Sequence, residues 1–293
     1  MTPTFSRVTL FARQYRANEG VNETLHILAE LLTSLQLTVQ LEMETAQFFD
    51  LPLPTIELNQ LNADHDLVVV VGGDGNLLSA ARTAVEAGIA VCGINRGHLG
   101  FLTDIAPDEA ASKIQQVLEG DYLEESRFLL NTLMMQDEQV VFQGLALNDV
   151  VLTLGDEPHM IDFSIYINDK FVCDQRADGI IVATPTGSTA YALSGGGPIL
   201  HPTLNAVVLV PMFPHKLSSR PIVVEGDSCI TLKIHEHNPC AANLSCDGHD
   251  KITVAPGKTI KISKHLQQLR LIHPLNYNYY ETLRSKLGWE RKR

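Results

Sequence analysis

Up to residue 122, short apolar runs are separated by longer segments of mixed polarity. The runs cover residues 8–12, 37–41, 67–71 and 90–94. Residues 37–41 alternate between apolar and polar positions, whereas the fully apolar run 67–71 is typical of a strand that is buried on both faces. Such strands occur in parallel sheets that carry helices on both sides, so the pattern predicts an α/β domain.

The segments between these runs predict the helices of that domain. Apolar residues recur at helical spacing from Val21 onward, at Leu25, Leu28, Leu31, Leu32 and Leu35. Asn22 is a candidate N-cap for this helix. Residues 76–87 predict a second helix, and Pro107 is well placed at the first position of a third.

Beyond residue 122 the pattern changes to short strands that follow one another with turn signals between them. Residues 162–167, 171–173, 222–224, 230–234, 251–254, 259–262 and 269–272 predict strands. We therefore expect a mostly β, sandwich-like domain over residues 123–274. Residues 278–287 return to helical spacing, and we expect residues 275–293 to pack back on the first domain, residues 1–122.

Composition narrows the class of protein. The chain has 293 residues, 45% hydrophobic and 19% charged, which suits two folded domains. The apolar run 67–71 is far shorter than the roughly 20 residues of a membrane-spanning helix. The N-terminus has no basic segment leading into an apolar one, so we expect a cytoplasmic protein without a membrane partner.

Cysteine usage and charge point the same way. The five cysteines (Cys92, Cys173, Cys229, Cys240 and Cys246) are scattered, which is typical of reduced thiols in a cytoplasm. The formal net charge is −12, a field that repels polyphosphates, so nucleic acid is excluded as an expected partner. An anionic substrate must then be held locally, by backbone amides, a metal ion or a few cations.

The turn Gly72-Gly73-Asp74-Gly75 follows the apolar run 67–71 and leads into a helix. Such a turn aims free N–H groups at one point, which suits a phosphate, and Asp74 can meet a substrate hydroxyl or a metal. The alternative is a tight turn that needs glycine for its geometry alone. The turn fits neither the Gly-x-Gly-x-x-Gly nor the Walker pattern.

Two further clusters carry candidate chemistry. A second glycine-rich turn, residues 93–102, follows the next strand and is expected to line the same crevice; its His98 reads as a surface residue rather than a ligand. Residues 184–191, rich in hydroxyls, predict either a nucleotide pocket or a capped helix start. Asn148 and Asp149 interrupt an apolar strand, residues 145–152, which favours an edge that faces a ligand.

Taken together, these segments resemble the NAD kinase family, and particularly its Gram-negative bacterial members. The matching stretches are residues 70–76, 93–104, 147–150, 175–191, 193–200, 211–214 and 271–274. The Gly-Gly-Asp-Gly turn is shared with diacylglycerol and sphingosine kinases. Its combination with the Pro-Thr-Gly-Ser-Thr-Ala-Tyr segment, residues 185–191, is specific to NAD kinases.

The resemblance implies an enzyme that uses ATP and a divalent metal, Mg or Mn, to phosphorylate the adenosine-ribose 2′-hydroxyl of NAD. It implies that the partners are NAD and ATP and that the chain forms a homodimer or homotetramer. Asp74 would be the proton acceptor, within a phosphate loop of Gly72, Gly73, Asp74 and Gly75. The implied NAD-binding residues are Asp74, Gly75, Asn148, Asp149, His159, Arg176, Asp178, Thr189, Ala190, Tyr191, Ala192, Leu193, Ser194 and His249. No protein metal ligands are implied.

The chain departs from the family pattern at two of these positions. Asp149 replaces the Glu that usually follows the Asn, and His249 stands where Gram-negative relatives often carry Gln. Two rival functions are a lipid kinase of the diacylglycerol or sphingosine class and a non-catalytic NAD-binding regulator. The lipid kinase should expose an apolar or basic patch toward a membrane, and the regulator would not need Asp74.

Overall fold

The computed structural model describes residues 4–13, 19–62, 66–96, 100–136, 139–155 and 159–289. The chain divides into two compact units. Unit 1 comprises Met1–Ser126 and Leu269–Arg293, and unit 2 comprises Arg127–Gln268. Within the described residues, no helix is long and apolar enough to cross a membrane.

Unit 1 alternates strands and helices. Its elements are β1 (Arg7–Phe11), α1 (Glu19–Ser34), β2 (Thr38–Glu42), α2 (Met43–Ala46), β3 (Thr55–Ile56), β4 (Leu67–Gly72), α3 (Asp74–Ala87), β5 (Ala90–Asn95) and α4 (Ala110–Glu119). The strands form a parallel sheet in the order β3-β2-β1-β4-β5. Every residue of β4 and β5 is buried, as their apolar sequences predict.

The first helix packs its apolar face on this sheet, and its start differs from the prediction. Leu25, Leu28 and Leu32 are fully buried in the core of unit 1. Asn22 is not an N-cap but lies inside α1, which already includes Glu19. Val21 is also fully buried, so the apolar face extends one turn further toward the N-terminus than the leucines alone indicate.

Unit 2 is built mainly from strands. The elements that follow α4 are β6 (Tyr122–Gln136), β7 (Gln139–Ala146), β8 (Asp149–Leu154), β9 (Ile161–Ile167), β10 (Lys170–Ala177), β11 (Gly179–Ala183), α5 (Tyr191–Ser194), β12 (Ala206–Met212), β13 (Ile222–Glu225), β14 (Ile230–Ile234), β15 (Ala242–Cys246), β16 (His249–Val254) and β17 (Thr259–Pro274). One antiparallel sheet has the order β13-β12-β11-β8-β15-β16. In the other, β10, β9, β14 and the start of β17 pair antiparallel, and β6 forms a hairpin with β7. Leu152 of the first sheet and Phe163 of the second share one buried core, so the predicted sandwich is confirmed.

The end of the chain belongs to unit 1. Residues Arg270–Ile272 of β17 pair in parallel with residues 90–92 of β5. The last helix, α6 (Tyr279–Leu287), begins after Asn278, whose side chain accepts hydrogen bonds from the N–H groups of Tyr280 and Glu281. Leu283 on this helix is buried. The predicted return of the tail to the first domain is thus confirmed, although residues 290–293 lie outside the described residues.

Candidate functional site

The glycine turn between β4 and α3 contains glycines of two kinds. Gly72 has a φ of +151°, and a Cβ there would overlap the side-chain amide of Asn76. Gly73 and Gly75 are exposed, and a Cβ at either would meet nothing within 4 Å. Turn geometry therefore requires glycine at Gly72, whereas Gly73 and Gly75 leave room for a ligand beside the N-terminus of α3, where the helix dipole favours an anion.

The carboxylate of Asp74 is held by the turn that follows β5. Its Oδ1 accepts hydrogen bonds from the N–H of Leu102 and from the N–H and hydroxyl of Thr103, each at 3.1 Å. Among the described residues, its Oδ2 accepts one hydrogen bond, from the N–H of Phe101 at 2.8 Å. A carboxylate oxygen has about two lone-pair sites. Of the two oxygens, Oδ2 is therefore the one with capacity to accept a substrate hydroxyl.

The two glycine-rich turns meet around this carboxylate, as predicted. A Cβ at Gly100 would overlap Asp74 Oδ1, so glycine is needed there for the close approach. Asn95, at the end of β5, donates from its amide to the carbonyl and hydroxyl oxygens of Thr103 at 3.2 Å each. The N–H of Arg96 donates to the carbonyl of Gly72 at 3.1 Å. His98 lies outside the described residues, so its predicted surface role stays a prediction.

In unit 2, Asn148 and Asp149 do not interrupt one continuous strand, which corrects the prediction. The chain bends at residues 147 and 148, between β7 and β8. The cause is the carboxylate of Asp247, which accepts hydrogen bonds from the N–H groups of Leu147, Asn148 and Asp149 at 2.8, 2.8 and 3.1 Å. In a continuous strand, these three N–H groups would be available to pair with neighbouring strands.

Asp247 is the main residue of this site that the sequence reasoning missed. It is buried and has a φ of +51°, followed by Gly248 at +71°. The available signal was the Asp-Gly pair itself, which is typical of a tight turn between paired strands, here β15 and β16. His249 is next to this turn, with its Nδ1 2.8 Å from the carbonyl oxygen of Asp247.

Asp149 is buried beside that charge. Burial first, and then the negative charge of Asp247, raise the pKa of Asp149 to about 7, although a hydrogen bond from the backbone of Tyr191 opposes the shift. Three backbone donors stabilise the charged form of Asp247, so the proton of the pair is held on Asp149. Near neutral pH, Asp149 can therefore act either as a donor or as an acceptor.

Residues 184–194 pack directly against the bend at residues 147 and 148. The hydroxyl of Thr184 donates to the carbonyl of Leu147 at 2.5 Å and accepts from the N–H of Gly187 at 3.1 Å. A Cβ at Gly187 would overlap the carbonyl of Asn148. Gly187–Thr189 forms a 3₁₀ turn that leads to α5. The hydroxyl of Thr184 thus links the start of the turn to the bend, and the backbone of Tyr191 donates to Asp149. Within this described segment, neither the turn nor α5 has a side-chain cap, so the alternative of a capped helix start is wrong.

A cavity of about 650 Å³ opens next to α5 within unit 2. Tyr191 and Ser194 line it together with two cations that the sequence reasoning did not single out, Lys216 and Arg220. Its volume lies within the range of small-molecule sites, about 300–1,000 Å³. Isolated cations in a loop give no pattern in the sequence, which explains why they were missed.

The remaining predicted residues are placed as follows. Arg176 is an exposed residue of β10, and its carbonyl accepts from the N–H of His215 at 2.8 Å. Asp178 follows the last residue of β10. Its N–H donates to the carbonyl of Met212, and its carbonyl accepts from the N–H of Leu154. His159 is exposed at the start of the segment that leads into β9.

Family models match both halves of the chain. The model of the ATP-NAD kinase N-terminal domain matches residues 14–122. The model of the ATP-NAD kinase C-terminal domain matches residues 147–274. The two matches correspond to the two regions that carry the glycine turn and the bend at residues 147 and 148.

Curated relatives are similar over the full length. The NAD kinase of Legionella pneumophila (strain Paris) is 52% identical over 292 residues, covering 100% of this chain and 99% of that protein. The NAD kinase of Coxiella burnetii (strain RSA 493 / Nine Mile phase I) is 53% identical over 291 residues, covering 99% and 96%.

Solved structures share the fold. Yeast NADH kinase in complex with NADH has a TM-score of 0.86 at 25% identity, covering 99% of this chain and 89% of that chain. An NAD kinase from Archaeoglobus fulgidus in complex with ATP has a TM-score of 0.71 at 23% identity, covering 96% and 97%. The predicted fold class, an α/β domain with a β-sandwich domain, is confirmed.

Proposed function

The chain belongs to the ATP-NAD kinase family, and we propose that the glycine turn of its unit 1 binds the phosphates of ATP and that most of the residues that bind NAD belong to its unit 2. The chain is an NAD kinase, which transfers a phosphoryl group from ATP to the adenosine-ribose 2′-hydroxyl of NAD. The products are NADP and ADP. The observation that supports the assignment of the reacting centre is the carboxylate of Asp74, inside the glycine turn and oriented by four hydrogen bonds.

In the proposed mechanism, Asp74 orients the 2′-hydroxyl and accepts its proton. Phosphoryl transfer passes through a loose transition state, so a protein contributes mainly positioning and charge neutralisation. Oδ1 is occupied by three donors, which leaves Oδ2 to receive the hydroxyl. Because the four donors fix both carboxylate oxygens, little reorganisation of Asp74 is needed when the substrate arrives.

The phosphates of ATP lie at Gly72, Gly73 and Gly75 in this proposal. The open surface at Gly73 and Gly75 and the N-terminus of α3 support it. The divalent metal, Mg or Mn, enters as part of the substrate MgATP. Within the described residues, no group of three or more His, Cys, Asp and Glu could hold a metal ion. The proposal places the metal mainly on the substrate phosphates, as is usual for Mg²⁺ at such sites.

For the dinucleotide we propose the site formed by Asn148, Asp149 and the segment 189–194. The hydrogen bond from the backbone of Tyr191 to Asp149 and the packing of Gly187 on Asn148 support it. The segment 189–194 consists of Thr189, Ala190, Tyr191, Ala192, Leu193 and Ser194. The further members of the proposed set are Asp74, Gly75, His159, Arg176, Asp178 and His249. Tyr191 and Ser194 continue this surface into the cavity beside Lys216 and Arg220.

We further propose a homodimer or homotetramer in the cytoplasm, without a nucleic-acid partner. Phe213, Leu217 and Leu266 are 76%, 92% and 99% exposed, and exposed apolar side chains of this size suit a protein interface. All five cysteines are free thiols, as a reducing compartment requires. The net charge of −12 opposes nucleic-acid binding. Light scattering of the purified chain measures the oligomer directly.

The test of the function is NADP formation from NAD and MgATP by the purified chain. We expect turnover with NAD and none of comparable rate with diacylglycerol, sphingosine or adenosine. Rapid turnover of a lipid would favour the lipid-kinase alternative. NAD binding without turnover would favour the non-catalytic regulator.

A further inference from the structure

A buried histidine in unit 1 contacts two carboxylates. His273 lies near the end of β17 and its side chain is 0% exposed. Its Nδ1 is 2.9 Å from Oδ2 of Asp104, whose side chain is 6% exposed. Its Nε2 is 3.7 Å from a carboxylate oxygen of Glu125. The ring stacks on Tyr277, with centroids 3.8 Å apart and planes at 8°.

Asp104 is the next residue after the segment that binds Asp74. Phe101, Leu102 and Thr103 supply four hydrogen bonds to the Asp74 carboxylate. On the other side of Asp104, Ile105 is fixed to β5, because its N–H donates to the carbonyl of Gly93 and its carbonyl accepts from the N–H of Asn95. His273 is thus three steps from Asp74: a hydrogen bond to Asp104, the peptide link to Thr103 and the hydrogen bonds from Thr103 to Asp74.

The charges make this contact strong. Burial disfavours a charged ring, but the hydrogen bond to Asp104 and the negative charges of Asp104 and Glu125 outweigh it and raise the pKa of His273. Oδ1 of Asp104 is buried and has no hydrogen-bond partner within the described residues. The buried carboxylate therefore depends on His273 for its compensation, and a buried charge left alone is costly.

We propose that His273 is a positioning residue for phosphoryl transfer, which holds Asp104 and thereby the segment 101–103 that orients the Asp74 carboxylate. His273 touches no substrate in this role. The inference rests on the proposed function of Asp74. It assigns a part in the reaction to a residue of the last strand, far along the chain from the glycine turn.

Two substitutions separate positioning from packing. In His273→Asn, the amide nitrogen is as many bonds from the backbone as Nδ1, so it can still donate to Asp104. In His273→Gln, the amide nitrogen corresponds to Nε2 and faces Glu125 instead. We expect kcat to fall about tenfold in His273→Gln, the scale of one hydrogen bond to a charged group, with unchanged KM for NAD and ATP. His273→Asn should retain most of the kcat.

The control lies on the same strand. Arg270 makes two hydrogen bonds of 2.8 Å to Glu124, so Arg270→Gln removes a charged pair of unit 1 that does not touch residues 101–104. We expect Arg270→Gln to lower the melting temperature and to keep the kcat. If His273→Gln does not fold, Asp104→Ala replaces it, because it removes the acceptor for His273; wild-type kcat in Asp104→Ala would then overturn the inference.

A double-mutant cycle with Asp74→Asn tests whether His273 affects kcat through Asp74. If His273 acts through Asp74, the double variant Asp74→Asn/His273→Gln has the kcat of Asp74→Asn alone. Independent, multiplying losses overturn the role of His273 and leave that of Asp74 intact. Undiminished kcat in Asp74→Asn by itself overturns the proposed role of Asp74 and, with it, this inference. Equal kcat losses in His273→Asn and His273→Gln also overturn the inference.

Discussion

Asp149 and Asp247 are hydrogen-bonded to each other in both directions. The N–H of Asp149 donates to Oδ1 of Asp247 at 3.1 Å, and the N–H of Asp247 donates to the carbonyl oxygen of Asp149 at 2.9 Å. Asp247 is held as the charged partner by three backbone donors. Folding therefore places the Asp149 carboxyl in a buried position next to a fixed negative charge.

The first prediction is that this pair makes stability depend on pH. The pKa of Asp149 is about 7 in the folded chain, against an ordinary value of 3.8 for an aspartate in water. Between these values the folded state binds the proton and the unfolded state does not, so the free energy of unfolding falls as pH rises from about 4 to about 7. In Asp149→Asn the part of this decrease that Asp149 causes should vanish. The free energy of unfolding of the variant should therefore rise relative to that of the wild type between pH 5 and pH 8.

Urea unfolding of both proteins at pH 5 and pH 8 measures this difference. His273, with its raised pKa, adds stability at low pH that is lost as pH rises through that pKa. His273 makes the same contribution to the free energy of unfolding in both proteins, so it drops out of the difference between them. An unchanged difference between Asp149→Asn and the wild type across this range would contradict a protonated Asp149 in the folded chain.

The second prediction concerns Asp74→Asn. We expect kcat to fall by about 10² to 10⁴, the usual contribution of a general base, with KM for NAD changed only a few-fold. The Asn oxygen can replace Oδ1 toward Leu102 and Thr103, but its NH₂ then meets the N–H of Phe101, so a small loss of stability is also expected. Steady-state kinetics with thermal melting separates the two effects. Wild-type turnover would remove Asp74 from the mechanism.

The third prediction uses the two kinds of glycine in the turn. Gly72→Ala should destabilise the chain by about 1–3 kcal/mol, because of its positive φ and the overlap with Asn76. Gly73 has a φ of −99° and open space around it, so Gly73→Ala should leave the fold unaffected. Its added methyl group should raise KM for ATP, because it occupies the space proposed for the phosphates. KM for NAD should not change in Gly73→Ala. A Gly73→Ala protein with wild-type KM for ATP would contradict phosphate binding at this turn.

The sequence predicted the fold better than it predicted the candidate sites. Buried strands such as β4 and helices with a strong apolar face were recognisable because their spacing repeats over several residues. Asp74 was recognisable because it lies inside a short, unusual turn. Lys216, Arg220 and Asp247 were missed, since what each contacts is decided by residues far away in the chain. The contact between Asp104 and His273 joins residues 169 positions apart, and no local pattern announces it.

The last prediction concerns Asp149 as a ligand for NAD. If its carboxylate accepts a sugar hydroxyl, Asp149→Ala loses a hydrogen bond to a charged group, about 1.5–3 kcal/mol, and KM for NAD should rise about ten- to hundred-fold. KM for ATP should change little. Asp149→Glu, the residue usual in the family, should stay within a few-fold of the wild type. Because the ionised carboxylate is the stronger acceptor, KM for NAD in the wild type should be lower at pH 8 than at pH 6, and this dependence should be absent in Asp149→Ala. An Asp149→Ala protein that binds NAD normally but melts much earlier would show that the residue serves the bend alone.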